Sequence, residues 1–121
     1  MFEKIGNILK YEGVFSIVAK GDDFPHIVNS WNSYVSLKDN KLIVPVGFMN
    51  KMEEILKKDS RVIVVLGTKE IEGLYGMGMG VRILGTAKIV DNNEDFKKKK
   101  EEFEWARAVM IIEINEVIQT A

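Results

Sequence analysis

The sequence predicts a mainly β fold: a small, mostly antiparallel barrel of six strands with short helices covering its openings. Three observations carry this expectation. Six segments of the 121-residue chain read as strands and only three as helices. The strands are joined largely by hairpin turns, whereas a doubly wound parallel sheet needs a crossover helix between strands. No linker, internal repeat or low-complexity tract divides residues 1–121, so a single domain is expected. A chain of this length buries a core without covalent staples.

Phe2, Ile5, Ile8 and Leu9 recur at helical spacing and predict a short amphipathic helix ended near Gly13. Val14–Ala19 reads as a strand, followed by the turn signal Gly21-Asp22-Asp23. Pro25 precedes a second strand, from His26 to about Leu37. Lys38-Asp39-Asn40-Lys41 makes a hairpin turn into Leu42–Val46. Pro45 cannot donate to a ladder, which places that strand end at an edge or a bulge. Asn50–Lys58 is helical, with Met52, Ile55 and Leu56 on one face. Val62–Leu66 is an unbroken apolar run and predicts a strand buried on both faces. Gly73–Gly80 reads as a glycine-rich loop, Val81–Val90 as a long strand with Gly85 at a bulge or close approach. Asn92–Trp105 reads as a helix and Val109–Val117 as the last strand.

Composition removes whole classes of function. Apolar residues make up 46% of the chain, ordinary for a globular protein, and the net charge is −1. No global field steers the chain toward nucleic acid or a membrane surface. Cysteine is absent, which excludes disulfides, thiolate metal sites and a cysteine nucleophile. His26 is the only histidine, and with no partner it reads as a strand or surface residue. The N-terminus mixes charges without a long apolar run, and the longest apolar runs are too short to span a bilayer. A cytoplasmic location is the expectation.

The residues around Asn29-Ser30-Trp31-Asn32-Ser33-Tyr34 carry the most chemistry. A strand that only fills a core alternates β-branched and charged residues. This one offers amides, hydroxyls and aromatic faces together, which suits a planar, partly polar ligand. Trp31 and Tyr34 fall on opposite faces of an ideal strand, so one is expected in the core unless a bulge intervenes. Downstream, Val44-Pro45-Val46-Gly47 leads into Asn50-Lys51-Met52-Glu53. Asn50 reads as an N-cap, with Glu53 completing a capping-box pattern. Free amides at that helix start, with Lys51 beside them, suit a phosphate. A flat ring plus a phosphate indicates a nucleotide-like cofactor.

Other motifs weigh less. Gly76, Gly78 and Gly80 mimic a dinucleotide fingerprint, but a strand follows where that fingerprint needs a helix. A lid or a wide hairpin is expected there. Lys97–Lys100 precedes Glu101, Glu102 and Glu104 and reads as a solvated helix face with i,i+4 pairs. Glu12, beside Gly13, is an isolated acidic residue without an assigned duty.

The runs His26–Tyr34, Ile43–Gly47 with Lys51, Gly80–Ala87 and Trp105–Ala108 resemble the small FMN-binding proteins of anaerobic bacteria. The wider group is the pyridoxamine phosphate oxidase-like split barrels. The resemblance runs nearly end to end. It implies a homodimer of six-stranded, Greek-key split barrels with two FMN molecules at the subunit interface and an unidentified redox partner. It implies flavin and ribityl contacts from Asn29, Ser30 and Trp31, and backbone contacts from Val44, Pro45, Val46 and Gly47. Asn50, Lys51 and Met52 would hold the phosphate. Trp31, Tyr34 and Trp105 would lie near the isoalloxazine, Gly80 belongs to the same matching motifs, and Thr120-Ala121 of the partner chain would close the site. Two departures shape the expectation. Met52 stands where the family often has Ser, Thr or Arg, which leaves only its backbone amide for the phosphate. The chain also lacks the arginine- and tryptophan-bearing tail with which larger oxidases bind pyridoxamine phosphate, so vitamin oxidation is not the expected activity.

The functional expectation is an FMN-dependent electron carrier or small oxidoreductase. Two rivals stand beside it: a nucleic-acid-binding β-barrel using Trp31, Tyr34 and the lysine run, and a flavin-free structural dimer.

Overall fold

The computed structural model describes all residues, Met1–Ala121. Helix α1 (Phe2–Leu9) leads into β1 (Val14–Ala19) and β2 (His26–Trp31). A single 3-10 turn, Asn32–Tyr34, leads to β3 (Ser36–Lys38) and β4 (Lys41–Val46). Helix α2 (Asn50–Lys58), the long strands β5 (Arg61–Glu72) and β6 (Met77–Val90), helix α3 (Glu94–Glu102) and β7 (Ala108–Gln119) follow. The strands form one antiparallel sheet in the order β2-β1-β5-β6-β7-β4-β3, curled into a half-barrel. No helix is long and apolar enough to cross a membrane.

The mainly β class and the split-barrel shape agree with expectation, but the strand count does not. Seven strands replace six because the expected second strand breaks at Asn32. The Asn32 amide donates to Gly13 O at 2.9 Å, and its side-chain nitrogen donates to Tyr11 O at 3.1 Å and Gly67 O at 3.3 Å. Glu12 accepts from Ser33 N at 3.1 Å and from Ser33 Oγ at 2.6 Å. These distant partners compete with ladder bonding and turn the chain into a corner.

The core lies inside the curl. Phe15, Ile17, Val44, Val64, Ile83 and Met110 project into it from five strands, all fully buried. Ile5 and Ile8 of α1, with Met52, Ile55 and Leu56 of α2, pack onto the same cluster. Each such side chain contributes roughly 1.5–3 kcal/mol on burial. Pro45 pairs with Val109 of β7, while β3 pairs with β4 only as far as Ile43. Its missing N–H therefore costs no ladder bond on the free side, the expected edge position.

One further expectation is corrected and another is narrowed to its hairpin alternative. Val62–Leu66 is not buried on both faces: Val62, Val64 and Leu66 point inward, while Ile63 and Val65 are 39% and 45% exposed. The Gly73–Gly80 segment is a hairpin whose arms are β5 and β6, tightened by a Gly73 N–H to Gly76 O bond of 2.7 Å. Gly76 and Gly78 sit at φ +128 and +113, a region that side chains disfavour. At the bulge opposite Leu84 and Gly85, a Cβ on Gly85 would meet Glu113 O at 2.3 Å, so the close approach expected there is present.

Candidate functional site

The corner at Asn32–Tyr34 resolves the problem of facing. Because the strand ends at Trp31, Tyr34 is no longer bound to strand alternation and turns toward the segment that follows α3. There Tyr34, Phe103 and Trp105 form a cluster, with ring centroids 4.8 Å (Tyr34–Phe103), 5.7 Å (Tyr34–Trp105) and 5.5 Å (Phe103–Trp105) apart. All three pairs are tilted by about 50°, an arrangement that aromatic quadrupoles favour. Trp105 is 50% exposed, so the wall has an open side. Gly47 borders it: a Cβ there would lie 3.3 Å from the Trp105 ring. Val44, Pro45 and Val46 lead to Gly47 and are themselves buried.

From Gly47 the chain passes through Phe48 and Met49 into α2. Asn50 is not the N-cap. Met49 occupies that position in the left-handed region (φ 54, ψ 35), and no side chain caps the helix. The capping box does not form, because the Glu53 carboxylate accepts from Arg107 Nη2 at 2.8 Å and its amide bonds Met49 O at 3.0 Å. The amides of Asn50, Lys51 and Met52 consequently have no acceptor, as the first turn of an uncapped helix leaves them. Arg107 also donates to Phe48 O from Nε at 3.0 Å and from Nη2 at 2.6 Å, which pins the helix mouth to the start of β7. Met52 is fully buried in the core, so only its backbone can meet a ligand. Lys51 Nζ stands 3.8 Å from the exposed Asp22 carboxylate, a pair loose enough to yield to a stronger anion.

The remaining candidates lie apart in one chain. Trp31 is 46% exposed on the outer face of β2, opposite Val14. Asn29 shares that face and accepts from Ser16 Oγ at 2.8 Å, whereas Ser30 points inward and is buried. Gly80 and Ala121 are joined to each other: Gly80 N donates to Ala121 O at 3.2 Å, and the Thr120 and Ala121 amides donate to Gly80 O. They sit at the end of β7 opposite Trp105. His26 is a half-buried strand residue. A surface depression of about 490 Å³ holds none of these residues and lies beside Val18, Pro25, Ile63 and Leu84 on the outer sheet face.

Four residues of this neighbourhood were not among the candidate site residues. Phe103 completes the wall, and Arg107 clamps the helix mouth. Glu12 holds the corner, and its carboxyl lies below the usual carboxylate range, chiefly through the Ser33 hydroxyl and then the Ser33 amide. Lys99 contradicts the solvated-face reading of the lysine run. It is 3% exposed, donates to Tyr34 O and Ser36 Oγ at 2.7 Å each, and is held below the usual lysine value by burial. A signal existed, since Phe96, Lys99 and Phe103 share one helical stripe.

Comparison with known proteins accords with this geometry. Residues 1–120 match the family model described as pyridoxamine 5'-phosphate oxidase. An FMN-binding protein of Nitratidesulfovibrio vulgaris (strain DSM 19637 / Miyazaki F) is 40% identical over 114 residues, covering 93% of each chain. Among solved structures, a putative pyridoxamine 5'-phosphate oxidase of Lactobacillus delbrueckii shares the fold with a TM-score of 0.71 at 21% identity, covering 98% of this chain and 92% of that one. HupZ of Group A Streptococcus gives 0.77 at 14% identity, with coverage of 98% and 93%. An FMN-binding protein of Syntrophomonas wolfei gives 0.72 at 14% identity, with coverage of 98% and 85%. With the family model matched almost end to end and the curved antiparallel sheet in place, this chain belongs to the pyridoxamine 5'-phosphate oxidase family.

Proposed function

We propose that the chain binds FMN at a homodimer interface and serves as a flavin-dependent electron carrier or small oxidoreductase. One observation carries the reading. The aromatic wall of Tyr34, Phe103 and Trp105 stands beside Gly47, and three residues further on the amides of Asn50, Lys51 and Met52 are without acceptors. A ring and a phosphate joined by a short chain meet both features. The side-chain-free surface at Gly47 leaves room for a flat group against the backbone. The residues present therefore fit the cofactor. The 40% identical FMN-binding relative supports the same choice among flavins.

FMN, when bound, supplies the one- and two-electron chemistry that no side chain here offers. This chain's residues orient it and exclude water. The helix mouth, with Lys51 and the positive end of the α2 dipole, fixes the phosphate. Tyr34 and Trp105 pack against the ring, each aromatic contact adding roughly 0.5–1.5 kcal/mol beyond area burial. The chain has no cysteine and a single histidine, His26, which lies on β2 away from the wall; electron carriage asks for no acid–base pair of that kind.

The outer sheet face supports the dimer. Val14, Ile27, Trp31, Ile63 and Val65 are each 39–57% exposed and are neighbours across β2, β1 and β5. A second copy is what such a face covers, and it would bring Ala121 and Trp31 to a site that one protomer leaves divided. The nucleic-acid reading loses ground, because one of the four lysines it needs is buried.

Titration of the apoprotein with FMN, FAD and riboflavin tests the reading. FMN is expected to bind tightest, and Lys51→Ala to weaken FMN at low salt while leaving riboflavin unchanged. Equal affinities for FMN and riboflavin would remove the phosphate subsite. A colourless protein that takes up no flavin would remove the function.

A further inference from the structure

Lys99 is the only buried charged residue of the chain. An ammonium is taken from water only at a cost unless its donors are met. Two of them are met by Tyr34 O and Ser36 Oγ, both at 2.7 Å, and the Glu102 carboxylate lies 3.7 Å away. A leucine or methionine would fill the same gap without that cost. The charge itself therefore calls for a use.

Its surroundings indicate which. Nζ stands 5.6 Å from the Phe103 ring centroid, and Phe103 packs on both Tyr34 and Trp105. Trp105 leaves the wall half exposed, whereas the ammonium beside Phe103 is buried. The ion pair is lopsided: the Lys99 side chain is 4% exposed and that of Glu102 46%. Water screens the negative end far more than the positive one, so a net positive field reaches the wall. The same ammonium ties the last turn of α3 to the corner that carries Tyr34.

We propose that Lys99 is a positioning residue of the flavin site, fixing the Tyr34–Phe103–Trp105 wall and holding behind it a positive charge that favours reduced over oxidised flavin. The inference rests on the flavin reading above. Two electrons from a reductant such as dithionite, with one proton from solvent, convert neutral oxidised flavin into a singly negative reduced ring. A fixed positive charge in a low-dielectric wall stabilises that product relative to its precursor.

The test compares reduction potentials of riboflavin-loaded wild type, Lys99→Met, Lys99→Arg and Glu102→Gln at low ionic strength. Riboflavin keeps the phosphate subsite out of the measurement. Lys99→Met is expected to lose about tenfold in preference for reduced flavin, a fall of about 30 mV for a two-electron couple. Lys99→Arg is expected to restore most of it, and Glu102→Gln to move the potential upward. Tryptophan fluorescence of the apoproteins, read through Trp105, is expected to change in Lys99→Met and recover in Lys99→Arg. An unmoved potential in a folded Lys99→Met overturns the proposal, as does an arginine variant no better than the methionine one. Should Lys99→Met fail to fold, Glu102→Gln decides alone: an unchanged or lowered potential overturns it. Wild type that takes up neither FMN nor riboflavin overturns the flavin reading and this inference with it. Wild type that binds flavin while the variants leave its potential unmoved overturns this inference alone.

Discussion

Glu12 and Asn32 show how much a single side chain decides at the corner. The Glu12 carboxylate accepts two bonds from Ser33, and these lower its pKa below the ordinary 4.5. A depressed folded-state pKa means that the unfolded chain binds more protons across that window. The contribution is fully present above 4.5 and is lost as pH falls through the folded value. Glu12→Gln keeps an acceptor for Ser33 but cannot titrate. Calorimetric melts from neutral pH to about pH 3 are expected to show wild type losing more stability than Glu12→Gln; parallel curves would refute this. Asn32 is fully buried, and its Nδ2 satisfies Tyr11 O and Gly67 O, while its Oδ1 has no partner. Asn32→Ala strands both carbonyls and is expected to cost about 1–3 kcal/mol in urea denaturation.

Elements differ in how well they are held. β5 pairs with β1 only over Val62–Val65, and β6 with β7 only over Val81–Val90. Beyond Leu66 and Val81 the two strands bond mainly to each other, with a register shift between Thr68 and Glu72. Leu74, Tyr75 and Met77 at the tip are 56%, 87% and 70% exposed. Few buried contacts and exposed ladder bonds make an arm that opens locally. Amides of residues 69–78 are expected to exchange with deuterium well before those of residues 62–65 in the free protein. Equal protection would show the arm packed on something in solution. The helices contrast with it, since α1 and α2 each plug the curl with fully buried side chains.

At the scale of the whole molecule, the outer sheet face is the feature that a single chain leaves unexplained. A stable, specific interface buries about 800 Å² per partner, and in the proposed dimer the row from Trp31 and Val14 to Ile63 and Val65 would supply its apolar centre. Ile63→Lys alters a side chain that is already 39% exposed, so the fold is expected to survive. Sedimentation of Ile63→Lys is expected to show a monomer with a native circular dichroism spectrum and at least tenfold weaker FMN binding. A dimer of wild-type affinity would mean that the interface lies elsewhere.

Most of the architecture was written in periodicity. Phe2, Ile5, Ile8 and Leu9 marked α1, and the apolar runs with their turn residues marked the strands, because burial on one face imposes a repeat of 3.6 or 2. Gly47 and Trp105 were named as candidates only through the family resemblance, since a lone glycine or tryptophan does not reveal by its type which surface it faces. Tertiary structure alone decided the break at Asn32, which depends on Tyr11, Gly13 and Gly67, partners up to 35 residues away. It alone separated Lys99 from its exposed neighbours and moved the helix cap from Asn50 to Met49. Local patterns report what a residue prefers, whereas long-range hydrogen bonds and packing select which residue satisfies the preference.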